Sequence, residues 1–211
     1  MGINRTIAAY DKYAEIYDQE TIEFWEKFPR SVIAEFVKLL PGKRVLNLGS
    51  GPGRDALLLR EAGLDVLCVD ASTEMVRRTQ DLGFESISSD ITALDYPDDE
   101  FDGIWAYTSL LHVPTDKMIT LLHRTRSWLR IHGVLLIGMI EGEFQGEITR
   151  DNMPNMKRYF KYYQESELIE LISQAGYELR YQERYQPHRK VYLNQIYMKS
   201  AKAPHISFHS I

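Results

Sequence analysis

The run Val45-Leu46-Asn47-Leu48-Gly49-Ser50-Gly51-Pro52-Gly53-Arg54-Asp55 decides how this chain is read. Four residues of strand character open through three closely spaced glycines into a helix-forming stretch. That is the first turn of a doubly wound α/β unit, where glycine lets a ligand approach the backbone closely. Taken alone, the same run also fits tight packing between a strand and a helix. The flanking sequence has to separate the two.

Working outward, residues 44–48 read as a strand, 54–62 as a helix and 65–70 as a strand, with Gly63 at the helix C-terminus. Ser72 is placed to cap a helix over 73–81, Gly83 ends it, and 84–88 form a short strand. After Pro97-Asp98-Asp99-Glu100 come a strand at 101–107, a helix at 115–129 and a strand at 134–140, with Gly133 marking the turn between the last two. A helix over 164–175 precedes two strand-like runs, 177–185 and 191–199, joined as a hairpin at Gln186-Pro187-His188-Arg189. Strands alternating with helices need right-handed crossovers. The expected fold is therefore α/β: a Rossmann-like, doubly wound, mostly parallel seven-stranded sheet with a C-terminal antiparallel hairpin and helices on both faces.

Upstream, apolar and aromatic positions over 5–40 recur at three- and four-residue intervals, predicting two helices that end at Pro41-Gly42. Residues 141–163 hold no clear period and include Gly142, Gly146 and Pro154; they read as a long loop over the carboxyl edge of the sheet, and such loops are often functional. The expected organisation is an N-terminal helical lid segment (1–42), one domain (43–200) that forms a single globular unit with it, and a loose tail (201–211). His205 and His209 in that tail read as solvated, and no metal site is expected.

The chain has 211 residues, 44% hydrophobic and 26% charged, and a net charge of −5, the balance of an ordinary globular protein that polyanions would repel. Nucleic acid is thus not an expected partner. No apolar run is long enough to cross a bilayer and the first 18 residues lack a signal-type apolar core, so a cytoplasmic protein with no membrane partner is expected. The lone Cys68, in the apolar run 65–70, reads as a buried strand thiol.

Asp70 ends the second strand, where a carboxylate at the sheet edge can accept from both ribose hydroxyls of an adenosine; capping the helix after Ser72 is the alternative. Asp90 and Ile91 follow the third strand, so that a carboxylate can meet an adenine amino group while an aliphatic chain packs on the ring. With the glycine turn, these make one continuous nucleoside cleft. Dinucleotides and S-adenosylmethionine both fit such a cleft. The dinucleotide fingerprint needs its third glycine where Arg54 stands, which favours S-adenosylmethionine as cofactor.

Through residues 45–55, Val69-Asp70-Ala71-Ser72-Thr73-Glu74-Met75, Asp90-Ile91 and Phe101-Asp102-Gly103-Ile104-Trp105-Ala106, the chain resembles the class I S-adenosylmethionine-dependent methyltransferases. The resemblance spans about residues 10–199. Leu110-Leu111-His112-Val113-Pro114 and the aromatic run 158–163 look like a bacterial small-molecule subset of that family. It implies a cofactor site of Tyr17, Asn47, Gly49, Ser50, Gly51, Asp70, Ala71, Met75, Asp90, Ile91 and Ala106, and an N-terminal segment bearing Tyr10, Tyr13 and Tyr17 on one helix face that folds over the cofactor. The family usually has an acidic residue where this chain has Asn47. The loss of charge implies weaker cofactor affinity or compensation nearby.

For the acceptor, His112 follows the fourth strand and can take a proton, although its position favours a structural, hydrogen-bonded histidine over that role. Tyr107 joins it as a catalytic candidate. Arg158 and Tyr159, in the 141–163 segment, are the candidates for holding the substrate, Arg158 for an acidic one. The expected partner is a small-molecule acceptor, with the protein a monomer or homodimer. A nicotinamide-dinucleotide oxidoreductase and a non-catalytic S-adenosylmethionine- or nucleoside-binding protein are the rival readings.

Overall fold

Along β1 (Arg44–Leu48) the side chains alternate, and each face finds its own core. Val45 joins Val66, Cys68, Trp105, Tyr107, Val134 and Leu136 against α3 (Arg30–Leu39) and α4 (Arg54–Glu61). Leu46 and Leu48 join Leu67, Val69, Ile104, Ala106, Leu135 and Ile137 against α6 (Thr115–Trp128) and α7 (Glu165–Gln174). A strand buried on both faces reads as a continuous apolar run, as in β4 (Phe101–Tyr107), which is buried throughout. Each such side chain contributes roughly 1.5–3 kcal/mol of burial.

The computed structural model describes residues 2–150 and 153–200, and the side chains of 4–149 and 157–200; the tail with His205 and His209 lies outside the described residues. With β2 (Asp65–Asp70), β3 (Glu85–Ser88), β5 (Leu129–Ile140), β8 (Tyr177–Tyr185) and β9 (Tyr192–Lys199), the main sheet runs β3-β2-β1-β4-β5-β9-β8. β1 to β5 are parallel and β9 is antiparallel to both its neighbours. The fold is the expected Rossmann-like one. Chain order reverses between β1 and β4, and such a reversal opens a crevice at the carboxyl ends of the strands.

Three expectations need correction. Residues 5–40 form three helices, α1 (Gly2–Lys12), α2 (Ala14–Glu26) and α3, because the chain bends at Tyr13 (φ −115°, ψ 24°) without a glycine or proline to signal it. The supposed loop at 141–163 is largely a separate antiparallel ribbon, β6 (Gln145–Arg150) with β7 (Met153–Lys161). And β5 starts at Leu129, five residues early, carrying Gly133 within it. Among the described residues, no helix is long and apolar enough to cross a membrane.

Candidate active site

A cleft with an open volume of about 850 Å³ lies over the carboxyl ends of β1, β2 and β4, roofed by α1 and α2. Its floor is the glycine turn. Gly49 and Gly51 take φ of +72° and +50°, the left-handed region that side chains avoid. A Cβ at Gly49 would sit 2.3 Å from the Ser109 Cβ, so here the turn needs glycine for space as well as for conformation. The Gly49 and Ser50 N–H groups donate to the Val69 carbonyl at 2.7 and 3.0 Å, tying the turn to β2. The Ser50 and Ser109 hydroxyls are buried beside the cleft without protein partners, as suits hydroxyls that meet a ligand.

Asp70 holds the edge of this turn. One carboxylate oxygen accepts from Gly51 N–H and the other from Ser72 N–H, each at 2.9 Å. Burial pushes its pKa up to about 6 against the downward pull of those N–H bonds. The capping role falls to Ser72, whose Oγ accepts from Met75 N–H at the start of α5 (Thr73–Asp81). Ala71, Met75, Asp90 and Ile91 line the same cleft, and Asp90 is steadied by accepting from the Thr92 N–H and hydroxyl at 2.8 and 2.9 Å.

Asn47 is fully buried below the turn, outside the cleft lining, and its Nδ2 donates to Asp55 Oδ1 at 2.9 Å. Asp55 does line the cleft, although it is only 3% exposed. Desolvation lifts its pKa to about 7, while the Asn47 amide and the Ala56 N–H, at 2.8 Å, favour the ionised form. The cleft thus has a carboxyl group eight residues downstream of the position where the sequence lacks one. Asp55 closed the decisive run but was not a site candidate; the pairing across the turn is a contact that spacing does not reveal. Ala106 sits in the core on β4 and does not reach the cleft.

The roof is fastened by side chains that no motif reports. Asp11 on α1 accepts from the Ser72 hydroxyl at 2.7 Å and from Glu74 N–H at 3.2 Å, so it supports the N-terminus of α5, where a carboxylate is favoured. Asp18 on α2 accepts from Arg54 Nε at 2.7 Å and from Arg78 at 3.2 Å. Tyr17 lines the cleft above Gly51 and meets Tyr10 edge to face at 5.1 Å. Tyr13 does not line the cleft.

His112, on the short 3₁₀ turn Leu110–His112, lies in the wall. The Tyr159 carbonyl, 2.6 Å from Nδ1, can only accept, so Nδ1 carries the proton and Nε2 accepts from the Tyr10 hydroxyl at 2.9 Å. Desolvation and the nearby Arg158 charge lower the His112 pKa to about 4, although its bond to the Tyr159 carbonyl favours the charged form; the ring is neutral at neutral pH. Tyr107 lines the cleft with its ring, while its hydroxyl donates away from it to Asn194 Oδ1 at 2.9 Å. Thr108 follows at φ +53°, unusual for a β-branched residue and held by its N–H to the Gly138 carbonyl at 2.9 Å. It lies where the cleft meets a second cavity.

That second cavity shares Tyr10, Tyr17, Trp25, Thr108 and His112 with the first and extends to β7 and the β8–β9 hairpin. Arg158 lines it, and Tyr159 does not, because neighbours on β7 point to opposite faces. Tyr159 contributes through its backbone, accepting from His112 and donating its N–H to the Thr6 hydroxyl at 3.1 Å.

Residues 45–133 match the family described as Methyltransferase domain. Demethylmenaquinone methyltransferase of Renibacterium salmoninarum is 35% identical over 92 residues, covering 42% of this chain and 38% of that protein's length. The solved DhpI–SAH complex superposes with a TM-score of 0.78 at 20% identity over 95% of this chain and 98% of that one. A 1,6-didemethyltoxoflavin-N1-methyltransferase from Burkholderia thailandensis, solved with 1,6-didemethyltoxoflavin and S-adenosylhomocysteine, gives 0.67 at 24% identity, covering 92% and 88%. At these identities the two structures establish likeness of fold.

Proposed function

We propose that this chain, which carries a class I S-adenosylmethionine-dependent methyltransferase domain, is an enzyme that methylates a small-molecule acceptor. The observation that carries the reading is the single cleft in which Gly49, Gly51, Asp70, Asp90 and Ile91, from the ends of three successive strands, converge. The cleft suits S-adenosylmethionine: the glycine turn leaves room at the backbone, Asp70 offers acceptors for ribose hydroxyls, Asp90 and Ile91 suit an adenine edge and face, and the Asp55 carboxyl suits an ammonium. When bound, the cofactor supplies a methyl group already activated on a sulfonium.

The protein's share is positioning, which can contribute about 7–11 kcal/mol when reacting atoms are held in line. Tyr17 and Tyr10 close the cleft from above, and the Tyr107 ring forms its wall. The strained Thr108 separates the cofactor side from the acceptor side. His112, its pKa lowered to about 4, is too weak a base near neutrality to hold a proton taken from an acceptor, and its Nε2 instead positions the Tyr10 hydroxyl where the two cavities meet. Arg158 faces the acceptor. The net charge of −5 supports a small-molecule partner over a polyanion, in a cytoplasmic setting. The test is an acceptor screen scored by release of S-adenosylhomocysteine together with a methylated product. Turnover in which the two appear in equal amounts supports the reading; cofactor binding with no turnover across a broad panel goes against it.

A further inference from the structure

Arg158 is only 2% exposed, yet among the described residues no carboxylate lies within ion-pair distance of it. Its Nη1 donates to the Tyr10 hydroxyl at 3.2 Å, and the guanidinium lies over the rings of Tyr10 and Phe160 at 5.2 and 5.3 Å. Its Nη2 is buried with no acceptor at all. A desolvated guanidinium is costly unless paired, and ring faces and one phenol compensate only part of that cost. An anion entering from the cavity that Arg158 lines would supply that partner.

The rest of the lining agrees. Lys190 stands at the same cavity, donating to the Tyr162 hydroxyl at 3.0 Å and lying over the rings of Phe160 and Tyr162, and makes no ion pair among the described residues. His188 lines it too, and Glu20 is the one acidic residue of the lining. Trp25, Phe24, Tyr192 and Phe160 supply flat apolar walls. A cationic end with aromatic sides selects a planar anion, and the forked guanidinium favours two oxygens in one plane.

We propose that the acceptor substrate is a planar, aromatic carboxylate whose carboxylate is held by Arg158 with support from Lys190, its ring lying against the aromatic walls of the cavity. The proposal rests on the methyltransferase reading for the word acceptor; the anion site itself does not.

The test uses the whole chain saturated with S-adenosylhomocysteine and two probes, 4-hydroxybenzoate and its neutral isostere 4-hydroxybenzamide, titrated calorimetrically. The benzoate should bind at least about tenfold more tightly, and Arg158→Gln should weaken it about 30-fold or more but weaken the benzamide, whose carbonyl can still accept from a neutral amide, by no more than about threefold. Arg158→Lys should keep part of the preference, and Lys190→Gln should cost only about threefold. Thermal melts confirm that each variant folds; if Arg158→Gln does not, the Lys variant and the probe pair still decide. Equal binding of the two probes, retention of the preference in Arg158→Gln, or no binding of either probe to protein that does bind S-adenosylhomocysteine overturns the proposal. A benzoate preference in protein that binds no cofactor product would leave the anion site standing and remove the methyltransferase reading instead.

Discussion

Asp55 offers the most quantitative handle on the cofactor end of the cleft. Its pKa of about 7 in the ligand-free protein leaves it half protonated near neutrality. A cofactor ammonium favours the ionised form, so binding must displace a proton wherever the free carboxyl holds one. For a group titrating near 7, apparent affinity is nearly full at about pH 8, about twofold weaker at 7, and roughly tenfold weaker at 6. The assay is calorimetric titration with S-adenosylhomocysteine across this range in buffers of different ionisation enthalpy, which also counts the protons released, about half of one at pH 7. Asp70, with a pKa of about 6, adds its own dependence, so the informative quantity is the difference from Asp55→Asn. That variant should bind weakly at every pH and lose the limb near 7. Its ligand-free form should also melt higher above pH 7. The folded pKa lies above the ordinary value of 3.8, so wild-type stability falls as pH rises from about 4 to about 7, and the variant escapes that loss. An unchanged slope in Asp55→Asn would refute the reasoning.

Asn47→Asp should not strengthen binding, although it places an acid below the glycine turn: it sets two buried carboxyls in contact, one of which stays protonated. Its expected signature is a steeper fall in melting temperature between pH 6 and pH 8 than the wild type shows, read by thermal denaturation. Gly49→Ala should cost about 2–4 kcal/mol in urea denaturation, from the positive φ and the clash with Ser109; adding Ser109→Gly should recover only the clash. Asp11→Ala removes a tie between α1 and the start of α5, and should cost about 1 kcal/mol of stability while speeding dissociation of S-adenosylhomocysteine in stopped-flow measurements.

The sheet was legible because its strands are buried runs punctuated by glycine: residues 44–48, 65–70 and 101–107 are strands at those bounds, and the terminal hairpin falls where Gln186-Pro187-His188-Arg189 breaks the pattern. The same feature exposed the glycine turn and the acids at the strand ends. What the sequence hid lay in contacts across distance. The β6–β7 ribbon turns Arg158 inward, and a buried arginine reads as polar, so the two-residue period is masked. Asp55 and Asn47 meet only because the turn brings the two side chains together. Tyr107 shows how position alone misleads, since its ring faces the cleft while its hydroxyl is committed to Asn194 on β9.

The chemistry of the cleft turns on the identity of its cofactor. The most direct measurement is calorimetric titration of the purified chain with S-adenosylmethionine, S-adenosylhomocysteine and a nicotinamide dinucleotide, repeated with Asp70→Ala and with Asp70→Asn, the latter retaining a hydrogen-bond acceptor. The first two ligands should bind and the dinucleotide should not, with a greater loss in Asp70→Ala than in Asp70→Asn; dinucleotide binding alone, or no binding of S-adenosylmethionine by the folded wild-type protein, would contradict the cofactor assignment.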